Sequence, residues 1–400
     1  MDQETANALF EKGAVLLFLD APQNMEFGVD CYSWTTGPKF KGLKLIPPGI
    51  HFVYYSALSR HGEGSVRTGF FKTFAEREVV VKRWNPSTED LYADDEIDQE
   101  DAERYRSNVR DFDRFLGVYP LLPVDNDPVS PYQKWLRLTT HITPQLISRI
   151  LPPSGKISAM TTVSRFSDVD DVRQCKPSRE TQMDVDQSEH DANTAAAQGG
   201  EEMIRGERVE VLRLNLTPID LKRSFPSGAS GGDVTKYSMD KSYLLRQLLQ
   251  NQYKDYKEFL GELQLAFIIF LIGEVYDGYE QWKTFIHLLC QSDEAIDDNG
   301  DTLFYEFIGI FHAQLESHPT DFFYDALSAD NFIRSNILIF VRMLQDRAGR
   351  GVPKTLQNGV DALVDFVESR FKWDIRHDVR VLGEEEEEEE GEFAPVIVEM

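Results

Sequence analysis

Residues 27–56 read "FGVDCYSWTTGPKFKGLKLIPPGIHFVYYS", and this stretch decides the fold of the N-terminal half. Gly37-Pro38 and Pro47-Pro48-Gly49 force the chain to turn, because proline fixes φ and glycine tolerates positive φ. Directly after the second turn, "GIHFVYYSA" (49–57) is dense in aromatic and β-branched residues, which suit a pleated surface. Outward from it, "AVLLFL" (14–19), "GFFKTF" (69–74) and "EREVVVKRW" (76–84) have the same texture, with Gly and Pro as boundaries. A small β-sandwich or barrel is expected here.

Two helical patterns follow. In "DQEDAERYRSNVRDFDRFLG" (98–117) Tyr105, Val109, Phe112, Phe115 and Leu116 recur at three and four, and "SPYQKWLRLTTHITPQLISRIL" (130–151) carries Trp135, Leu136, Leu138, Leu146 and Ile150 around Pro144. Such spacing covers one side of a sheet. Residues 167–205 are acidic, polar and nearly free of aromatics, so burial cannot offset their ordering entropy. From 240 to 375 the pattern is helical, with connections short enough for neighbouring antiparallel helices. Asp240 or Ser242 is placed to cap the first of these helices.

The fold class expected is therefore α+β and multidomain. Residues 1–160 form a β-rich domain with flanking helices, 161–208 a disordered acidic linker, 209–239 a bridging segment, 240–382 a helical domain, and 383–400 an acidic tail ending in a strand-prone segment. With 400 residues, 41% of them apolar, the chain has material for two or three cores.

A net charge of −26 argues against a phosphate-binding surface, so no direct nucleic-acid partner is expected. Cys31, Cys175 and Cys290 are few and far apart, as in a reducing compartment. The first twenty residues carry acids where a signal peptide is basic, and "LAFIIFLIG" (265–273) is about half of what a hydrocarbon core of ~30 Å requires. No membrane association is expected.

Candidate chemistry is sparse. "AIDDNGDTLFYE" (295–306) aligns Asp297, Asn299, Gly300 and Glu306 with a calcium-binding EF-hand loop, but Ala295 stands where the first oxygen ligand belongs. The histidines His51, His61, His141, His287, His312 and His318 show no ligand spacing and read as core or surface residues. His287 and Cys290 share a helix face, a pairing that reads as packing. The glycine clusters lack the order of a phosphate loop. No cofactor, metal or catalytic residue is assigned. Ser87, Ser167 and Ser188 precede acids, in contexts suited to an acidophilic kinase.

The quoted stretch resembles the signature of the a1-alpha2-repression splicing factor family. Phe27-Gly28-Val29-Asp30, Trp34, Gly37-Pro38-Lys39-Phe40-x-Gly42 and Ile46-Pro47-Pro48-Gly49-Ile50-His51-Phe52 carry the match, and "TKYSMDKSYLL" (235–245) is similar to the family's entry into its C-terminal domain. The resemblance implies a VHS-like superhelical C-terminal domain and a non-catalytic assembly chaperone of the U5 small nuclear ribonucleoprotein. Its implied partner is the large U5 scaffold protein, pre-mRNA-processing factor eight, bound at its RNase H-like and Jab/MPN-like domains. There the family holds off helicase and RNA until assembly, under phosphorylation control. A phosphoprotein of both cytoplasm and nucleus, monomeric on its own, is the expectation. The alternative is a membrane-trafficking adaptor of VHS type, for which the chain shows no basic amphipathic or lipidated segment.

The C-terminus, "GEEEEEEEGEFAPVIVEM" (383–400), places strand-like residues beyond seven glutamates. In the family this tail is understood to join the two partner domains as an added strand, which makes Phe393, Val396, Ile397 and Val398 the expected partner-binding residues. Burying two or three such side chains gives about 1.5–3 kcal/mol each, and four backbone hydrogen bonds add about 1 kcal/mol each. Ordering five or six residues costs roughly 1–2 kcal/mol apiece. The strand is thus a weak second contact, effective only when tethered to a body already docked.

Overall fold

The computed structural model describes residues 12–56, 66–124, 127–163, 201–204, 207–210, 213–226, 228–229, 231–317, 332–347 and 351–382. They divide into two compact units: a β-rich one from 1–132, 143–216 and 269–278, and a helical one from 133–142, 217–268 and 279–400. The α+β class and the β-rich N-terminal half followed by helices are as the sequence indicates.

Ten strands of the first unit form two sheets: β1 (Ala14–Leu19), β2 (Glu26–Val29), β3 (Tyr32–Thr35), β4 (Gly42–Ile46), β5 (Gly49–Ser56), β6 (Thr68–Phe74), β7 (Val79–Asn85), β8 (Asp90–Leu91), β9 (Leu116–Val118) and β10 (Lys156–Ser158). One sheet runs β8-β7-β1-β4-β9 and the other β10-β6-β5-β2-β3. Between them lies a core that includes Leu16, Phe18, Phe27, Val29, Leu43, Val53, Tyr55, Phe74 and Trp84. The alternate residues Leu17 and Leu19 of β1 pack with Val81 and Leu116 against Tyr105, Val109 and Phe112. Both faces of β1 are therefore covered, which is why its sequence is an unbroken apolar run.

Glycines let the sheets close tightly. A Cβ on Gly42, whose φ is +128°, would lie 1.9 Å from the Leu16 carbonyl oxygen, and one on Gly28 would lie 2.1 Å from the Tyr54 ring. Gly28 pairs directly with Tyr54 across β2 and β5, so the ring occupies the space the glycine leaves.

The helical patterns between 98 and 151 are more broken than their periodicity suggests. The pattern over 98–117 splits into α1 (Gln99–Ser107), a 3-10 turn (Val109–Phe115) and β9. Asn108 ends α1, its backbone N–H and its side-chain amide both donating to the Arg104 carbonyl at 3.1 and 2.9 Å; such side-chain competition stops a helix. The pattern over 130–151 splits into α2 (Pro131–Leu138) and α3 (Pro144–Ile150). Thr143 caps α3 by accepting from the Leu146 N–H at 3.2 Å, with Pro144 in the first turn where its missing donor costs nothing.

Two short strand pairs complete the list: β11 (Thr162–Val163) lies parallel to β14 (Arg213–Leu214), and β12 (Glu201–Ile204) antiparallel to β13 (Glu207–Glu210). Residues 201–204 and 207–208 fall in the stretch expected as linker; residues 164–200 of it lie outside the described residues.

The helical unit holds α4 (Gly231–Met239), α5 (Ser242–Asn251), α6 (Tyr256–Leu271, through residue 268), α7 (Tyr276–Cys290, from residue 279), α8 (Ile296–Asn299), a π turn (Gly300–Phe304), α9 (Tyr305–Ser317), α10 (Phe332–Asp346) and α11 (Lys354–Phe371). The helical stretch that begins at Ser242 breaks between α5 and α6, where Asp255 accepts from the Glu258 N–H at 2.9 Å. Residues 133–142 belong to this unit because the buried Gln264 amide clamps them. Its oxygen accepts from the His141 N–H at 2.8 Å and its nitrogen donates to the Arg137 carbonyl at 3.2 Å. Buried Glu262 does the same for the bridging segment, accepting from the N–H and hydroxyl of Thr217 at 2.7 and 2.8 Å.

No described helix is long and apolar enough to cross a membrane.

Candidate functional site

The turn-rich motif builds a buried polar centre. Asp30 takes the left-handed conformation, φ +55°, at the end of β2. Its N–H donates to the Phe52 carbonyl at 2.8 Å, and its Oδ1 accepts from the Phe52 N–H at 2.8 Å. Oδ2 meets His51 Nδ1 at 2.6 Å and accepts from the Tyr119 hydroxyl at 2.5 Å. His51 Nε2 lies 2.8 Å from the Pro47 carbonyl. Both ring nitrogens thus face acceptors, and only the imidazolium can donate to both. Burial opposes that charge, yet the Asp30 carboxylate and the Pro47 carbonyl outweigh it and His51 is raised above its usual value.

His51 is therefore a core histidine, as its lack of ligand spacing suggests, and Pro47, which the sequence assigns to a turn, also supplies an acceptor. Its signal in the sequence is the pair Asp30 and His51 flanking two proline turns, with Tyr119 far away in the chain.

The region aligned with an EF-hand folds differently. Asp297 pairs with Arg347, whose Nη1 also reaches Asp293 Oδ1 at 2.6 Å. Asn299 Nδ2 donates back to the Ala295 carbonyl at 3.3 Å. Glu306 meets His141 Nε2 at 2.6 Å and accepts from the Tyr256 hydroxyl at 3.0 Å. Burial holds His141 below its usual value, with Glu306 opposing and Lys257 reinforcing that shift. Asp297, Asn299 and Glu306 thus go to separate tasks. Among the described residues, no group of three or more His, Cys, Asp or Glu side chains is arranged to hold a metal ion.

Asp240 and Ser242, expected to cap α5, flank its N-cap, which is Lys241 and makes no side-chain cap bond, and they grip the 294–295 turn instead. Asp240 Oδ1 accepts from the Ser242 N–H at 2.8 Å, its Oδ2 from the Glu294 N–H at 3.2 Å, and Ser242 Oγ from the Ala295 N–H at 2.8 Å. Side chains of the "TKYSMDKSYLL" stretch therefore fasten the 294–295 turn to the start of α5.

His287 and Cys290 lie on α7. Cys290 is fully buried and burial pushes its thiol up; burial likewise lowers His287, with Lys241 adding to it. Neither shift favours a thiolate nucleophile. Ser87 is exposed in the β7–β8 turn, its N–H donating to Asn85 Oδ1 at 3.0 Å. Ser167, Ser188 and the expected partner-binding residues Phe393, Val396, Ile397 and Val398 lie outside the described residues.

Comparison with known proteins covers both units. The sequence profile of the AAR2 N-terminal domain matches residues 12–152, and that of the AAR2 C-terminal repeat region matches residues 216–376. The protein AAR2 homolog of Homo sapiens is 33% identical over 408 residues, covering 100% of this chain and 97% of its own. That of Caenorhabditis elegans is 30% identical over 378 residues, 94% of this chain and 98% of its own. The A1 cistron-splicing factor AAR2 of Saccharomyces cerevisiae is 24% identical over 298 residues, 72% of this chain and 75% of its own.

Proposed function

The chain belongs to the AAR2 family, and from that membership we propose that it is a non-catalytic assembly factor of the U5 small nuclear ribonucleoprotein in pre-mRNA splicing. The observation that carries the reading is the extent of the likeness. It runs through the β-rich and the helical unit alike, and a yeast relative is named as a splicing factor. A single shared domain would transfer a fold only; similarity over the full chain supports a shared role.

In this reading the protein, a monomer moving between cytoplasm and nucleus, occupies the RNase H-like and Jab/MPN-like domains of the large U5 scaffold protein and keeps helicase and RNA away until assembly. Neither nucleic acid nor membrane takes part directly. Phe393, Val396, Ile397 and Val398 add a strand to the partner's sheets, on a tether that the glutamates hold extended by self-repulsion. Phosphorylation, with Ser87, Ser167 and Ser188 as candidates, weakens the contact by repulsion.

Calorimetry with a purified scaffold fragment containing both domains tests this. The full chain binds with 1:1 stoichiometry, and a chain lacking residues 392–400 binds more weakly. No heat with the full chain overturns the partner assignment; equal affinities overturn the role of the tail alone.

A further inference from the structure

The chain passes between its two units more often than a single connection requires. Residues 133–142 precede the stretch 164–212 and yet belong to the helical unit, while residues 269–278 follow it and belong to the β-rich unit. Each half of the chain thus contributes a short segment to the unit that the other half builds. The family profiles, matching 12–152 and 216–376, divide the chain without regard to this exchange.

Residues 133–142 hold most of α2, whose eight residues are too few for an isolated helix in water. Their fixed points all lie in the helical unit. The Arg137 carbonyl and the His141 N–H both turn to the Gln264 amide, at 3.2 and 2.8 Å. Arg137 Nη1 reaches Glu316 at 2.5 Å and His141 Nε2 reaches Glu306 at 2.6 Å, both acids standing on α9. Trp135 and Leu138 are each 1% exposed. The dependence is mutual, because Gln264 is itself fully buried, and without the segment its amide loses both of these bonds where water cannot replace them.

The reciprocal segment is fixed as firmly in the β-rich unit. Arg67 donates to the Ile272 carbonyl at 3.1 Å and pairs with Glu274 at 3.0 Å. Between those two residues, a Cβ on Gly273 would lie 2.9 Å from the side chain of fully buried Ile157, so only glycine allows so close an approach. Strand β14, also from the later half, adds another tie: it lies parallel to β11, and the Asn215 N–H donates to the Ile150 carbonyl at 2.8 Å.

We propose that residues 133–142 act as a strap that completes the helical unit, and that with the reciprocal segments it keeps the two halves of the chain together whether or not they are joined covalently through residues 164–212. Neither half is then an autonomous domain. Gln264 is the positioning residue of the strap, and the Arg137–Glu316 and His141–Glu306 contacts set its register along α9. The strap does not depend on what the protein assembles with, and stands or falls separately from that reading.

A full chain with a protease site inserted between Ala195 and Ala196 tests it. After cleavage the two pieces elute together in gel filtration and part in urea, and sedimentation on dilution gives their dissociation constant. Arg137→Glu, which sets like charges against each other at Glu316, raises that constant about threefold or more, and Glu316→Arg in the same chain restores it. Gln264→Ala raises it about tenfold, while Lys372→Glu, whose ammonium donates to the Ser369 carbonyl, leaves it unchanged. The Arg137 side chain is 42% exposed, so its variant folds normally should Gln264→Ala not. Cleaved pieces that part without denaturant, an association indifferent to both strap substitutions, or a failure of Glu316→Arg to restore what Arg137→Glu removes each overturns the proposal.

Discussion

The Asp30 carboxylate and the His51 imidazole meet at 2.6 Å, each side chain about 1% exposed, and that one carboxylate also receives the Phe52 N–H and the Tyr119 hydroxyl. A single side chain thus ties β2, β5 and the segment after β9. Asp30→Ala removes every acceptor at once and is expected to destabilise the β-rich unit by about 3–5 kcal/mol, the cost of breaking a buried pair. Asn at this position tolerates the left-handed backbone and still accepts from Phe52, so Asp30→Asn loses less, about 1–3 kcal/mol. Urea denaturation midpoints of the two variants against the unaltered chain give the comparison.

The same pair makes stability depend on pH with a definite sign. His51 is raised in the folded state, so the folded chain binds a proton more tightly than the unfolded one. This contribution is complete below the ordinary histidine range, about pH 6.5, and is lost as pH rises through the raised value. His141, lowered by burial, acts in the opposite sense: its contribution is present above that range and is lost as pH falls through its lowered value. Thermal unfolding from pH 5 to 9 should therefore show a decline at the alkaline end that His51→Gln abolishes and His141→Gln leaves in place.

Gly42 and Gly28 make close approaches of different kinds. The Cβ of Gly42→Ala meets backbone, the Leu16 carbonyl, at positive φ; that of Gly28→Ala meets a side chain, the buried Tyr54 ring packed against Phe52 and Arg67. Gly28→Ala is expected to cost about 1–3 kcal/mol from overpacking. Gly42→Ala adds backbone strain of about 1–3 kcal/mol to a clash of similar size. Chemical denaturation of both variants should rank Gly42→Ala as the more damaging.

Cys290 is sealed within the helical unit with its thiol pushed up, whereas Cys31 is only half-buried. Iodoacetamide at pH 8 should leave Cys290 unmodified in the native chain and alkylate it fully in urea, as peptide mass mapping reads directly.

Much of this architecture is legible in the sequence for identifiable reasons. "AVLLFL" and "GIHFVYYS" form β1 and β5 with bounds within one residue of those expected, since an apolar or aromatic run between turn residues has few alternatives. The strands β2, β3 and β4 are hidden among glycines and prolines that signal only turns. The stop at Asn108 depends on a side chain that mid-helix periodicity ignores. The transfer of residues 133–142 to the helical unit depends on Gln264, some 120 positions away, as the parallel pairing of β1 with β7 depends on a long crossover. The outer edge of β7 is equally silent: "EREVVVKRW" announces a strand, while strand pairing on that edge is confined to Trp84 and Asn85 because β8 is two residues long. The buried Asp30–His51 pair is half visible, as residues of the motif, while the third partner Tyr119 is not.

Purification of an affinity-tagged version from cytoplasmic extract tests most directly what the chain assembles with. Recovery of the large U5 scaffold protein in stoichiometric amount, without the U5 helicase, is the predicted result. Recovery of coat or sorting proteins, or of no stoichiometric partner, would contradict it.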